Sequence, residues 1–332
     1  MKDFSAQTDI DGNLHLGERI LPLPNTISAQ AREALKAAYA RPRVSQPPAT
    51  DKAAWEVFIA QANAAFAPIA NMMRAAAPAV VDTQLIDGVT VHVGTPNTLS
   101  SAGRKRVILE LHGGGLVLLA GNFANAMAAV TAVETGCITY SVDYRMPPAH
   151  PYPAAIDDAV TVYRHLLKAY GPESIAFNGG SAGGNLAAAA VLKGRDLGLA
   201  LPAAVILKTP ELDLTESGDS FATNHLIDGV LKTGLSEANA LYANGHDLAH
   251  PYLSPLFGDF TKGFPPAFIQ AGTRDLFLSN AVRMHRALRE AGREAELHIW
   301  EGMPHGGFGM APEDAEVQHE VRRFLEKIWG AV

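Results

Sequence analysis

Phe177-Asn178-Gly179-Gly180-Ser181-Ala182-Gly183-Gly184 decides the fold of this chain. An apolar run, Ser174-Ile175-Ala176-Phe177, ends there and an alanine-rich helical run begins, so the stretch spells strand, sharp turn and helix. Glycines stand two residues before and two residues after Ser181, the pattern G-x-S-x-G. A serine carried on a strained strand-to-helix turn needs small neighbours, because a Cβ at Gly179 or Gly183 would crowd the backbone. Ser181 then projects clear of the sheet as a candidate nucleophile. A glycine-flanked serine alone also fits an ordinary loop, and the weight comes from a second motif.

That motif lies upstream. Arg106-Val107-Ile108-Leu109-Glu110-Leu111 has the composition of a buried strand and runs straight into His112-Gly113-Gly114-Gly115. Successive glycines let backbone N–H groups turn toward one point. Gly113, Gly114 and Gly115, with the N–H of Ala182 after the serine, form a candidate oxyanion hole. Taken alone, the loop is equally a flexible turn whose histidine hydrogen-bonds its own backbone. Two strand-end glycine clusters in this order are hard to obtain by accident.

A serine nucleophile needs a base, and on this kind of elbow the acid and then the histidine follow it along the chain. Of twelve histidines, His165 and His285 sit in helical patterns and His298 in the strand-like run Ala295–Trp300. His305 follows that run in Glu301-Gly302-Met303-Pro304-His305-Gly306-Gly307-Phe308, a loop rich enough in Gly and Pro to hold an imidazole away from regular structure. The closing helix is expected over about Pro312 to Trp329. The acid is chosen by the same rule: Pro266–Gly272 has the look of a buried parallel strand, and Asp275 leaves its carboxyl end. Asp213, Asp247 and Asp259 also lie between Ser181 and His305, but none directly follows such a strand. The plain alternative for Asp275 is a loop or near-cap carboxylate.

With these motifs in view the chain resembles the hormone-sensitive-lipase-like family of bacterial carboxylesterases, in the α/β-hydrolase fold. His112–Gly115 and Gly179–Gly184 carry the likeness, reinforced by Asp143-Tyr144-Arg145-Met146-Pro147-Pro148-Ala149-His150-Pro151-Tyr152-Pro153-Ala154-Ala155, by Ser254-Pro255-Leu256, by Asp275 and by Gly302–Gly306. The resemblance spans roughly residue 81 to the C-terminus. It implies Ser181 as nucleophile, His305 as base, Asp275 as the acid that orients it, and the backbone of Gly113, Gly114 or Gly115 with Ala182 as oxyanion hole. It also implies hydrolysis of an ester through an acyl-enzyme, and no cofactor. Four positions depart from the family: Gly180 stands where an Asp is common, Ala149 replaces the usual acidic residue, and Ser279-Asn280 replaces an acidic pair. These touch substrate preference and local rigidity rather than the reaction class.

The remaining sequence fits a mostly parallel, doubly wound sheet with helices on both faces. Extended runs around Asp87-Gly88 signal a hairpin at 83–94. Strand-like and helical runs then alternate: 136–143, a helix near 154–169, 174–178, a helix over 181–193, 203–208, 266–272, a helix near 279–291, and 296–300. Two segments break the alternation. Residues 1–80 look helical, with apolar spacing in Trp55, Phe58, Ile59, Phe66 and Ile69, and about 214–247 interrupts the sheet. In the family these pieces form a helical cap over a catalytic domain, here 81–332, which excludes water and shapes the acyl site. Phe66, Met72 and Met73 are candidate substrate contacts, with packing of the cap against the core as the plain alternative.

Composition bounds the rest. At 332 residues and 48% hydrophobic content the chain can bury one large α/β core. A formal charge of −7 speaks against nucleic acid and against docking on anionic membranes. The single cysteine, Cys137, excludes an intrachain disulfide framework and reads as a small buried apolar residue. No apolar run approaches a membrane span, and Met1-Lys2-Asp3-Phe4-Ser5 has no leader core, so a cytoplasmic location is expected. No ligand cluster at metal spacing is evident; His246 and His250, four apart beside Asp247, read as a polar cap surface. No dinucleotide or phosphate-loop motif stands out. The partners expected are a small-molecule ester and, left open, a second copy of the chain. Lactonase, amidase and acyltransferase activities on the same Ser181 remain alternatives. So does a non-catalytic binding protein, although the receptors similar to this family lose a triad member and candidates for all three stand here.

Overall fold

The computed structural model of the chain describes residues 6–17 and 20–330. Met1 to Ser5, which bear on the expectation about a leader, lie outside them. In chain order the elements are β1 (Ala6–Thr8), β2 (Leu14–Leu16), α1 (Ala29–Ala40), α2 (Lys52–Ala76), β3 (Ala79–Ile86), β4 (Val89–Pro96), β5 (Val107–Leu111), α3 (Asn122–Thr135), β6 (Ile138–Val142) and α4 (Ala154–Ala169). There follow β7 (Ile175–Gly180), α5 (Ala182–Asp196), β8 (Ala204–Lys208), α6 (Ser220–Thr223), α7 (Ser236–Ala243), β9 (Ala267–Gly272), α8 (Leu278–Glu290), β10 (Ala295–Trp300) and α9 (Pro312–Trp329).

Eight strands form one sheet in the order β10-β9-β8-β7-β5-β6-β4-β3. The pairs from β10 to β6 are parallel, and β4 runs against both of its neighbours. Successive side chains of a strand face opposite sides, and both sides are covered. Val107, Leu109 and Leu111 of β5 pack with α4, α5 and α8. Ile108, Cys137, Ala176, Ile206 and Phe268 pack with Val321, Phe324 and Leu325 of α9. The carboxyl ends of β5, β7, β9 and β10 therefore lie side by side, and their loops meet at one edge of the sheet.

Two expectations need correction. Residues 6–16 are a small antiparallel hairpin rather than helix: the Asp9 carboxylate accepts from the backbone of Asp11 and Asn13 and turns the chain. Strands of three residues are too short to display a period of two. Within 214–247 only α6 and α7 are helical, because Gly218, Gly229 and Gly234 interrupt the chain between turns. Among the described residues no helix is long and apolar enough to cross a membrane.

One carboxylate is buried inside the sheet layer. Glu110 of β5 lies opposite Asn178 of β7, accepts hydrogen bonds from the Asn178 amide and, at 3.1 Å, from Thr131 Oγ1, and is 1% exposed. Burial pushes its pKa up to about 8, against the opposing pull of the Lys208 charge. A carboxyl whose folded pKa is raised contributes stability that is present below its unfolded pKa and is lost as pH rises through the folded value. Glu110→Gln keeps an acceptor for Asn178 and Thr131 but has no proton to lose. Thermal melts are expected to come closest to wild type near pH 4 and to favour the variant above pH 8, by roughly a few kcal/mol.

Candidate active site

Ser181 is the hinge between β7 and α5, with φ 57° and ψ −123°, a left-handed conformation that a non-glycine residue adopts only when its surroundings enforce it. The surroundings are backbone. A Cβ on Gly183 would stand 1.8 Å from the Leu111 carbonyl oxygen, and one on Gly179 would stand 2.2 Å from the Gly183 carbonyl oxygen. Both glycines of the motif are thus dictated by close approach. Gly180 is not: a Cβ there would meet only Lys208 O, at 3.7 Å. Helix α5 starts one residue later than the sequence suggests, so Ser181 caps its N-terminus.

The Ser181 hydroxyl lies 2.8 Å from His305 Nε2, and His305 Nδ1 lies 3.1 Å from Asp275 Oδ1. A carboxylate can only accept, so Nδ1 carries the proton and Nε2 is left to accept from the serine. Asp275 is fully buried and also accepts from Phe277 N at 2.9 Å, while the Phe277 ring meets the imidazole edge-on at 4.9 Å. Burial alone would lower the His305 pKa, yet the Asp275 charge and hydrogen bond, with Asp228 and Glu211 farther off, leave it raised. The other aspartates are engaged elsewhere: Asp213 with Thr215, Ser217 and Arg283, Asp247 with Ala249, Asp259 with Thr261.

The glycine loop faces the same point. Gly113 packs against the elbow, where a Cβ would come within 3.1 Å of Gly180 O and 3.4 Å of Ser181 Cβ. Gly114 and Gly115 have φ of 123° and 58°, conformations that free glycine of the strain any side chain would bring. The loop is rigid at its root. Tyr144 Oη donates to His112 O at 2.7 Å, the two rings stack at 4.1 Å, and His112 Nδ1 donates to Gly113 O at 2.7 Å. Burial lowers the His112 pKa to about 4, so the ring is neutral and serves the loop's shape. Ala182, first residue of α5, has no intrahelical acceptor for its N–H, and the positive end of the helix dipole lies at Ser181.

Phe66, Met72 and Met73 lie farther along α2 than the residues that pack against the segment after the glycine loop. Helix α2 meets the glycine loop through its first half: Trp55, Phe58 and Ile59 pack with Val117, Leu118 and Leu235, and Asn63 Oδ1 accepts from Leu119 N at 2.9 Å. The helix then descends along α3 to β3, whose first residue Ala79 pairs with Pro96, at the sheet edge away from Ser181. Met72 and Met73 ride on that descending end, and Phe66 and Met72 are 40% and 50% exposed. The correct periodicity was visible in the sequence, but not the direction in which the helix runs. His246 and His250 pack around the Tyr152 ring, at 5.0 and 6.2 Å. Two carboxylates near the imidazole had no sequence motif to announce them. Glu211 is 1% exposed, and burial followed by the Glu216 charge raises its pKa to about 8 against the opposing pull of the Asn239 side chain. Asp228 is fully buried beside the His305 backbone.

Known proteins share this arrangement of chain. A family described as having the alpha/beta hydrolase fold matches residues 108–309. An acetyl-hydrolase of Streptomyces hygroscopicus is 35% identical over 202 residues, 60% of this chain and 67% of the relative. An esterase of Acinetobacter venetianus is 31% identical over 207 residues, 61% of this chain and 68% of its own. Among solved structures, esterase E25 superposes with a TM-score of 0.85 at 36% identity, covering 94% of this chain and 98% of that one. An esterase from the bacterial hormone-sensitive lipase family gives 0.78 at 29% identity, covering 91% and 99%.

The geometry around His305 makes a titration prediction. Its imidazole resonances should titrate above the ordinary histidine value of about 6.5. Asp275→Asn removes the nearest charge and should move the midpoint down, while Asn at 213, 247 or 259 should leave it in place. Side-chain NMR of the four variants checks this, and an unmoved midpoint in Asp275→Asn would contradict the pairing.

Proposed function

This chain belongs to the α/β-hydrolase family, and on that premise we propose that it is a serine carboxylesterase acting on small esters through Ser181, His305 and Asp275. The observation that carries the proposal is the 2.8 Å contact of the Ser181 hydroxyl with His305 Nε2 on a strained elbow that faces the glycine loop. His305 takes the hydroxyl proton as Ser181 Oγ attacks the ester carbonyl carbon. Asp275 holds the tautomer and stabilises the imidazolium. The N–H groups of Gly113, Gly114 or Gly115 with Ala182 receive the negative charge that forms on the carbonyl oxygen. His305 then returns its proton to the departing alcohol, and the acyl group stays on Ser181. A water, deprotonated by His305, attacks the acyl carbon, and His305 hands that proton to Ser181 Oγ as the Ser181–acyl bond breaks and the acid leaves. The resemblance to curated and solved esterases supports ester hydrolysis.

The first half of α2 and the segment 214–247 form the proposed cap. Leu235 closes down on the glycine loop, its Cδ1 only 3.3 Å from where a Cβ on Gly115 would sit. It clusters with Trp55, Val117 and Leu241, an apolar wall beside the glycine loop that we propose excludes water from the oxyanion. Such a wall, placed close over the nucleophile, favours short to medium acyl chains.

Ser181→Ala is expected to lower kcat on an aryl acetate by on the order of 10⁶ with an unchanged circular dichroism spectrum. Retained turnover would remove the nucleophile from the proposal. A panel of aryl esters of rising chain length, with a lactone and an anilide beside them, should show highest kcat/KM at short to medium length. Preference for the lactone or anilide would move the activity to another acyl transfer on the same serine. The acid limb of kcat/KM should lie above pH 6.5, because His305 accepts the proton only when neutral and its pKa is raised.

A further inference from the structure

We propose that Asp228, outside the Ser181, His305 and Asp275 set, is a positioning residue for it: its carboxylate clamps the acid loop to the base loop and places a second negative charge behind the imidazole. The inference rests on the proposed triad. Asp228 lies between α6 and α7 and is fully buried. Its Oδ1 accepts from Val230 N at 2.8 Å and Leu231 N at 3.1 Å, which folds its own loop around it. Its Oδ2 accepts from Leu276 N at 2.8 Å and from His305 N at 3.2 Å. Leu276 is the residue after Asp275. One carboxylate therefore holds the backbone next to the acid and the backbone of the base, two loops that are 30 residues apart in sequence.

The rest of the segment supports the same grip. Asn224 Nδ2 donates to the carbonyl of Asp275 at 2.8 Å, and Ser220 Oγ donates to that of Leu276 at 2.6 Å. The cap segment thus reaches the acid loop from above, and Asp228 extends that reach to His305. Four N–H donors around a single buried carboxylate suit an ionised group. Burial raises the Asp228 pKa to about 6, the His305 charge opposes the rise and the Asp275 charge adds to it, so the group is ionised at neutral pH.

A backbone clamp could be structural and nothing more, and charge separates the two roles. The ionisable groups facing His305 are Asp275, Asp228 and Glu211, and those facing Asp228 are His305 and Asp275. Removing the Asp228 charge makes the imidazolium less stable, so the His305 pKa falls and the acid limb of kcat/KM moves to lower pH. Removing a merely structural clamp lowers rate or stability and leaves the limb where it is.

The test uses the full chain with a short aryl ester, in Asp228→Asn and Asp228→Glu, beside wild type and Ser181→Ala. In Asp228→Asn, kcat should drop on the order of 10- to 100-fold through misplaced loops, KM should stay nearly constant, and the acid limb should shift downward. Asp228→Glu keeps the charge but pushes it out of register with Leu276 N and His305 N, so kcat should fall with the limb at its wild-type position. Wild-type kcat in Asp228→Asn, or a reduced rate with an unshifted limb, overturns the proposal. Should the Asn variant not fold, wild-type kcat in Asp228→Glu overturns it. Hydrolysis by wild type and its loss in Ser181→Ala test the triad separately from Asp228.

Discussion

Everything at this site depends on one contact between backbones. The elbow and the glycine-loop strand approach so closely that Gly183 could carry no side chain, the Leu111 carbonyl standing 1.8 Å from the nearest Cβ position. The contact joins the end of β5 to the start of α5 and sets Ser181 beside Gly113. It also explains the left-handed φ of Ser181: with β7 hydrogen-bonded on both sides and α5 pressed against Leu111, the chain can reverse only through that conformation. The proposed oxyanion donors and the proposed nucleophile are consequently rigid with respect to one another. Their relative geometry belongs to the sheet and not to loops that could drift.

The proposed base is held differently. His305 comes from a loop, and its position is specified by polar partners: Asp275 on one ring nitrogen, Ser181 on the other, Asp228 on its backbone N–H and the Phe277 ring against its face. All three carboxylates near it are buried, and burial works against an ionised group. The arrangement tolerates this because each charge has a distinct partner. Asp275 faces the imidazole, Asp228 faces four N–H groups, and Glu211, buried near the Glu216 charge, is pushed up to about 8. Negative charge is thus graded around the ring rather than accumulated.

The parts of this architecture made of short-range rules were legible in the sequence. Gly179, Gly183, Gly113 and Gly114 mark where backbones touch, and the alternation from β5 to α9 follows hydrophobic period. Asp275 was identifiable because strands of a parallel sheet end at one edge, so a carboxylate just past β9 had to lie there. Long-range placement was not legible. The apolar stripe of α2 gave Phe66, Met72 and Met73 the same standing as Trp55 and Phe58, yet the helix passes the site with its first half only. Asp228 sits in Asn224-His225-Leu226-Ile227-Asp228-Gly229, among ordinary turn residues, and nothing local distinguishes it from Asp219. Its partners are 48 and 77 residues away.

The departures from the family pattern acquire physical meaning in the same frame. Ala149 is exposed, so the missing acid there faces solvent. Gly180 has room for a side chain and carries none, which leaves the elbow's brace to the sheet alone. Ser279 is the informative case. Its hydroxyl accepts from Ser220 N at 2.8 Å while Ser220 Oγ accepts from Ser279 N at 2.9 Å, a reciprocal pair that ties α6 to the start of α8. An acidic side chain at 279 would add a charge near Asp275 and Asp228, where the Asp275 charge already raises the Asp228 pKa. Neutral hydroxyls make the same tie without that repulsion. Asn280, fully buried beside Ser279, is likewise uncharged. The chain therefore ties the proposed cap segment to the loop after β9 through the neutral Ser220, Ser279 and Asn224 side chains, and Asp228 is the one of these anchors that also faces His305.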